Sequence, residues 1–359
     1  MKTKIGIDGI KFLINGVPTY VGRAYNGQPI EGLLFNSRMV QAIFDDENPE
    51  TRAHWAYPDT KRWDPDRNTY EFCENLPVYR EKGLLAVTVG LQGGGSVYTP
   101  SIYNSYENSA FNPDGTLRIP YFNRLLRILK TADEVGMVVI VNYFYWQHAR
   151  RFQGANPIKN ATINATDWLL KSGYQNILVD VVNESSRIWK LRGIPMTDSK
   201  NVHSLIHLAQ SRKYQGRCLL VGASSSGGLV SNPSGKWLQV EDFSMPHGNG
   251  CKPVILRKKI RALKKKQAYK LRPRPILINE DSVFTENLHV AVEEGISWGF
   301  YCQDYGSGYR DLMNWKTHPR EKKYENLSGF QTVPVNWGIN TQIKKNFFDT
   351  VERITSGEN

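Results

Sequence analysis

The chain has 359 residues, 40% of them hydrophobic and 22% charged, which excludes a disordered protein, and its 30 Gly and 18 Pro are too few for a collagen-like or low-complexity one. The formal charge of +12 points at first to a polyanion partner, but ten Lys and Arg and no acid fall between Pro253 and Pro275, leaving +2 on the rest of the chain. No base-reading motif accompanies that run, so nucleic acid is not expected as a partner. No apolar run reaches the ~18 residues of a membrane helix, so no membrane partner is expected either.

The first residues contain neither a continuous apolar stretch nor a small-residue cleavage site, which reads as no signal peptide: a cytoplasmic protein, or a secreted one already trimmed. Asn15-Gly16 separates two β-rich runs, IKFLI and PTYVG, and so predicts a hairpin within residues 1–30. Strand-like and helical stretches then alternate. Strands are expected at Met39–Phe44, Leu84–Leu91, Met137–Tyr143, Ile177–Val182, Cys218–Val221, Asp242–Met245, Pro275–Ile278 and Ile296–Tyr301. Helices are expected at Phe72–Lys82, Tyr121–Val135, Ala165–Ser172, Val202–Tyr214, Glu286–Glu294 and Thr341–Ile354. Between Pro253 and Pro275, Leu256, Ile260, Leu263, Gln267 and Leu271 recur at helical spacing and predict one amphipathic helix with a solvated basic face.

Eight strands, each followed by a helix or a long loop, imply parallel strands with crossover helices. That is the α/β class, and the count suits a (β/α)8 TIM barrel, here a single barrel domain over residues 1–359 with the N-terminal hairpin packed on it. A doubly wound sheet usually carries a Gly-rich turn after its first strand, where this chain has Asp45-Asp46. The long segments Asp45–Thr69, Gln92–Ile119 and Gln303–Gly338 follow strand ends and belong on the C-terminal face, where barrels build their sites. Gly93-Gly94-Gly95 lacks the Lys-Ser/Thr of a phosphate loop and reads as a site-wall loop.

The four cysteines have no metal or redox spacing and are expected as free, mostly buried thiols. No metal box emerges and no cofactor is expected; Ser224-Ser225-Ser226-Gly227-Gly228 is not a nucleophile elbow. The fourth strand instead ends in Asn183-Glu184 and the seventh in Asn279-Glu280. Strands four and seven face each other across an eight-stranded ring. Two carboxylates facing each other across a sugar supply what glycosidic cleavage needs: one protonates the leaving oxygen, the other attacks or activates water. Tyr143, Tyr145 and Trp146, after strand three, can form a wall for stacking on a sugar.

These motifs resemble those of the clan A glycoside hydrolases, retaining enzymes on (β/α)8 barrels. The resemblance covers the whole chain in architecture and the two Asn-Glu motifs closely, and the opening KFLINGVPTYVGRAYNG is similar to the leader before the barrel in many members. It implies a retaining glycosidase on an oligosaccharide or polysaccharide, with Glu184 as acid/base, Glu280 as nucleophile and Asn183 on the sugar 2-hydroxyl. His247 falls where the clan has a His or Tyr touching the nucleophile, and Trp298 resembles the strand-eight Trp that floors the sugar site. The clan also holds its nucleophile with an Arg near an early strand end; Arg38 departs from this, because it precedes the expected first strand. Two other readings compete: a barrel that binds carbohydrate without turnover, and a polyanion-binding protein acting through the basic helix 253–275.

Overall fold

A computed structural model describes residues 1–93, 105–186, 193–228, 231–303 and 323–357. Gly94 and Gly95 of the glycine run, and much of the Gln303–Gly338 segment, lie outside the described residues.

The N-terminal segment is a three-stranded antiparallel meander of β1 (Ile5–Asp8), β2 (Lys11–Ile14) and β3 (Val17–Pro18), one strand more than the expected hairpin. Asn15 and Gly16 both have positive φ, 55° and 81°, as a tight turn between twisted strands requires. Asn26-Gly27 repeats the device between β4 (Ala24–Tyr25) and β5 (Gln28–Pro29).

The main sheet is parallel, in the order β10-β9-β8-β7-β6-β13. Its members are β6 (Asn36–Arg38), β7 (Ala86–Gly90), β8 (Val138–Phe144), β9 (Ile177–Val182), β10 (Leu220–Gly222) and β13 (Gly299–Phe300). Shorter pairings close the ring. β11 (Ser224–Ser225) runs parallel to β12 (Met245–Pro246), Ser244 bridges Ile276, and Leu277 bridges Ser297, just before β13. Seven of the eight predicted strand positions, with Asn36–Arg38 in place of the expected first, thus form one closed parallel barrel, the sixth and seventh reduced to a few ladder bonds.

The first strand is displaced from its expected place. Met39–Phe44 is a buried turn, and the strand is the polar tripeptide Asn36-Ser37-Arg38 before it. Met39, Ala42 and Ile43 pack outward with the helices, while the barrel wall here faces a polar interior.

Alternation along the strands sets two shells. Val87, Val89, Val139, Val141, Ile177, Val179 and Val181 face the helices. Facing inward at the lower end are Leu34, Leu85, Ala86, Val138, Ile140, Leu178, Phe243, Met245 and Leu277, and the N-terminal meander plugs this end with Ile5 and Phe12. Climbing each strand, the inward positions turn polar: Leu34 gives way to Asn36 and Arg38, Ala86 to Thr88, Ile140 to Asn142, and Leu178 to Asp180. The barrel is therefore oily at its floor and polar beneath its C-terminal mouth.

The basic run forms two helices, Pro253–Lys264 and Gln267–Leu271, not one, and Leu271 is 76% exposed. Most of its charges are engaged. Arg257 pairs with Glu293 and Glu294, and Arg261 with Glu294. Lys259, Lys264, Lys266, Arg272 and Arg274 donate to backbone carbonyls. Lys258, Lys265 and Lys270 remain without such a partner among the described residues, so the run offers a polyanion far less free charge than its composition suggests. All four cysteines are free, but only Cys302 is buried; Cys218 is exposed and Cys73 and Cys251 are half-buried.

Candidate active site

The polar upper shell carries the carboxylates. Glu184 stands two residues past β9 and Glu280 two residues past the seventh strand position, so both project at the mouth. One oxygen of Glu184, one of Glu280 and a ring nitrogen of His247 all lie within 4.8 Å of one another. His247 Nδ1 is 3.2 Å from Glu184 Oε1 and 3.4 Å from Glu280 Oε2. His247 Nε2 is buried without a hydrogen-bond partner among the described residues, so the proton of a neutral ring belongs on Nδ1, between the two carboxylates.

Glu280 is nearly buried and held from three sides. Arg38 Nε lies 2.9 Å from its Oε2, Asn249 Nδ2 donates to its Oε1 at 2.9 Å, and His247 completes the set. The shift of the first strand explains Arg38: it ends β6 and reaches Glu280 at the mouth, where a strand beginning at Met39 would leave it in the preceding loop. Its Nη2 also donates to Asn183 Oδ1 at 2.9 Å, tying the tip of the fourth strand to the seventh. Asn249 was not singled out from the sequence; its signal is the Gly-Asn-Gly directly after His247.

Glu184 is more open, with its side chain 30% exposed. Its backbone is left-handed, φ 52°, which costs a non-glycine residue about 1–2 kcal/mol and persists only where surroundings impose it. Here its N–H donates to Ser224 Oγ at 3.0 Å. Ser224 in turn donates its N–H and its Oγ to the buried Asp180, at 2.9 and 3.1 Å. Burial outweighs these bonds and the charges of His247 and Arg38, and pushes the Asp180 carboxyl up to about 6. For Glu184 the balance is reversed. Burial favours the neutral acid, but the His247 hydrogen bond and charge, Arg38 and the Gly227 N–H together bring its pKa down to about 2.

The expected aromatic residues separate. Tyr145 and Trp146 lie just past β8, half-buried, with ring centroids 5.8 Å apart. Tyr143 is fully buried, its hydroxyl 3.1 Å from Thr166 Oγ1 in the helix layer, and belongs to the core instead of a sugar wall. Trp298 is also fully buried, packed on Phe347 at 6.0 Å, and in this structure presents no face to a ligand. In both cases the strand alternation turns the ring outward to the helices. The two carboxylates and His247 could also ligate a cation, but the Arg38 guanidinium against Glu280 already puts a fixed positive charge there, which disfavours one.

No protein-family model and no curated protein matches this chain. Solved structures do. An endo-1,4-β-D-mannanase from Thermotoga petrophila RKU-1 is 14% identical, with TM-score 0.51 over 90% of this chain and 99% of its own. A GH5-4 broad-specificity endoglucanase from Clostridium longisporum is 8% identical, with TM-score 0.53 over 91% of this chain and 96% of its own. An endo-1,4-β-mannanase from Rhizomucor miehei is 11% identical, with TM-score 0.50 over 83% and 90%. At such identities the likeness is one of fold: that of a (β/α)8 barrel.

Proposed function

We propose that the chain, as one barrel domain, is a retaining glycoside hydrolase acting on a carbohydrate chain, with Glu280 as nucleophile and Glu184 as acid/base. The observation that carries this reading is the approach of the two strand-tip carboxylates to within 4.8 Å around a shared histidine. Retention needs carboxyl groups about 5–5.5 Å apart, whereas inversion needs roughly 6.5–9.5 Å to seat a water.

In the first step a Glu280 oxygen attacks the anomeric carbon, the glycosidic C–O bond breaks, and the Glu184 proton passes to the leaving oxygen. Arg38 and Asn249 hold Glu280 in line for attack. Asn183, its oxygen taken by Arg38, has its amide N–H groups for the sugar 2-hydroxyl. Half-buried Tyr145 and Trp146 supply a stacking face. The acid role requires Glu184 to hold a proton that it lacks in the resting site. A leaving-group oxygen that takes over its carboxyl from His247 removes the largest force keeping it anionic, and burial and the charge on Glu280 then raise it. In the second step Glu280 is esterified and uncharged. With that charge gone Glu184, deprotonated by the first step, stays anionic; it takes a proton from water as the water oxygen attacks the anomeric carbon, which releases the sugar and regenerates the Glu280 carboxylate.

The test is a panel of aryl β-glycosides with β-mannan and β-glucan, the polymer class suggested by the names of the similar structures, run on the wild type, Glu184→Ala and Glu280→Ala. Hydrolysis by the wild type is expected, lost in Glu280→Ala and reduced about 10²–10⁴-fold in Glu184→Ala on poor leaving groups. Equal activity in all three proteins would overturn the assignment.

A further inference from the structure

Lys259 lies in the basic run but is turned away from solvent. It falls in the apolar stripe of its helix, between Leu256, Ile260 and Leu263, and is fully buried. Its ammonium donates to two backbone carbonyls, Ser226 O at 2.8 Å and His247 O at 2.7 Å. The chain just past the fifth strand is thereby tied to the chain just past the sixth.

The two carbonyls belong to peptide groups whose other ends reach the two glutamates. The peptide from Ser226 to Gly227 has its N–H at Gly227, on the side of the Glu184 carboxylate, whose anionic form it favours. The peptide from His247 to Gly248 has its N–H at Gly248, which donates to the backbone carbonyl of Glu280 at 2.8 Å. A cation at the oxygen end of a peptide polarises it and strengthens the N–H at the other end. Both glycines are confined. A Cβ on Gly227 would meet Asn249 O and Oδ1 at 2.1 Å, and one on Gly248 would meet Asp281 Oδ2 at 1.9 Å.

We propose that Lys259 is a positioning residue: through two glycine peptides it places the Glu184 carboxylate and the Glu280 main chain, and its charge favours the anionic form of Glu184. The purpose of that placement rests on the glycosidase reading; the polarisation itself does not. A buried ammonium is costly without such a task. Burial lowers its pKa to about 8, against Cys251, Glu184 and Asp281, which act to keep it charged, so it remains protonated at neutral pH.

The test titrates the Glu184 carboxyl by carbon-13 NMR in ¹³C-glutamate protein, assigned with Glu184→Gln, in the wild type and in Lys259→Met. The groups facing Glu184, namely His247, Arg38, Glu280 and the Gly227 N–H, are unchanged between the two. Glu184 is expected to titrate about one pH unit higher in Lys259→Met, a ten-fold change in proton affinity. On an aryl glycoside the same variant should lose on the order of 10-fold in kcat with KM nearly unchanged. If Lys259→Met does not give a cooperative thermal melt, Lys259→Gln, which keeps a donor without the charge, carries the same comparison and the same expectation. An unchanged Glu184 titration in a folded variant overturns the proposal whatever the activity. Failure of the glycosidase reading looks different: the wild type cleaves no glycoside while the titration still moves.

Discussion

Arg38 and Glu280 form an ion pair with almost no solvent on either side, their side chains being 1% and 7% exposed. Arg38→Met keeps the length and the packing and removes the charge. Glu280 then retains only Asn249 and His247, and Asn183 Oδ1 loses its donor. Breaking a buried pair from one side costs about 3–5 kcal/mol, since it leaves an uncompensated charge. Over 359 residues, at ~2.1 cal/mol/K of unfolding entropy per residue, that corresponds to a fall in Tm of about 4–7 °C. Glu280→Gln keeps the shape and strands the guanidinium instead. The double variant strands neither, so its cost should fall short of the sum of the singles by about 1–3 kcal/mol. Urea unfolding of the four proteins at neutral pH measures this cycle. Additive costs, or an Arg38→Met cost below ~1 kcal/mol, would refute the reasoning that the pair is a buried, mutually compensating unit.

Glu241 is buried beside Ser244 and Arg274, and burial outweighs both, raising its pKa from 4.5 to about 8. The folded protein therefore keeps a proton that the unfolded chain loses, and stability should fall as pH rises from about 4.5 to about 8. Thermal melts across that window should show a shallower decline in Glu241→Gln; a curve parallel to the wild type would contradict this. Phe12 plugs the oily end of the barrel, edge-on to Phe243 at 6.1 Å. Phe12→Ala should cost about 3–5 kcal/mol of stability, with kcat unchanged well below the melting temperature, because the site lies at the opposite end.

The alternation of strands and helices was legible because the barrel wall is apolar on its outer face, and a run such as Ile177–Val182 announces itself. The first strand was not. Asn36, Ser37 and Arg38 line a polar interior and look like a loop, while the apolar Met39–Phe44 looks like a strand and is a turn beneath the helices. That single displacement hid the partner of Glu280. Two other supporting residues left a trace: Asp180 is an acid inside an apolar strand, and Lys259 occupies an apolar position of a helical repeat. Both break the local pattern where the interior has a polar task. Tyr143 and Trp298 erred in the other direction, since nearness to a strand end does not say which way a ring faces.

Rescue by azide tests the roles of the two glutamates most directly. With Glu280→Ala and an activated aryl glycoside, azide can enter the space the carboxylate leaves and attack the anomeric carbon itself, so the glycosyl azide should have inverted configuration. With Glu184→Ala, the glycosyl-enzyme still forms when the leaving group needs no proton, and azide, which needs no base, should release it with retained configuration. Proton NMR of the anomeric coupling distinguishes the two products. Inverted azide from Glu280→Ala and retained azide from Glu184→Ala are the predicted pair; retained product from Glu280→Ala, or wild-type turnover in either variant, would contradict the account.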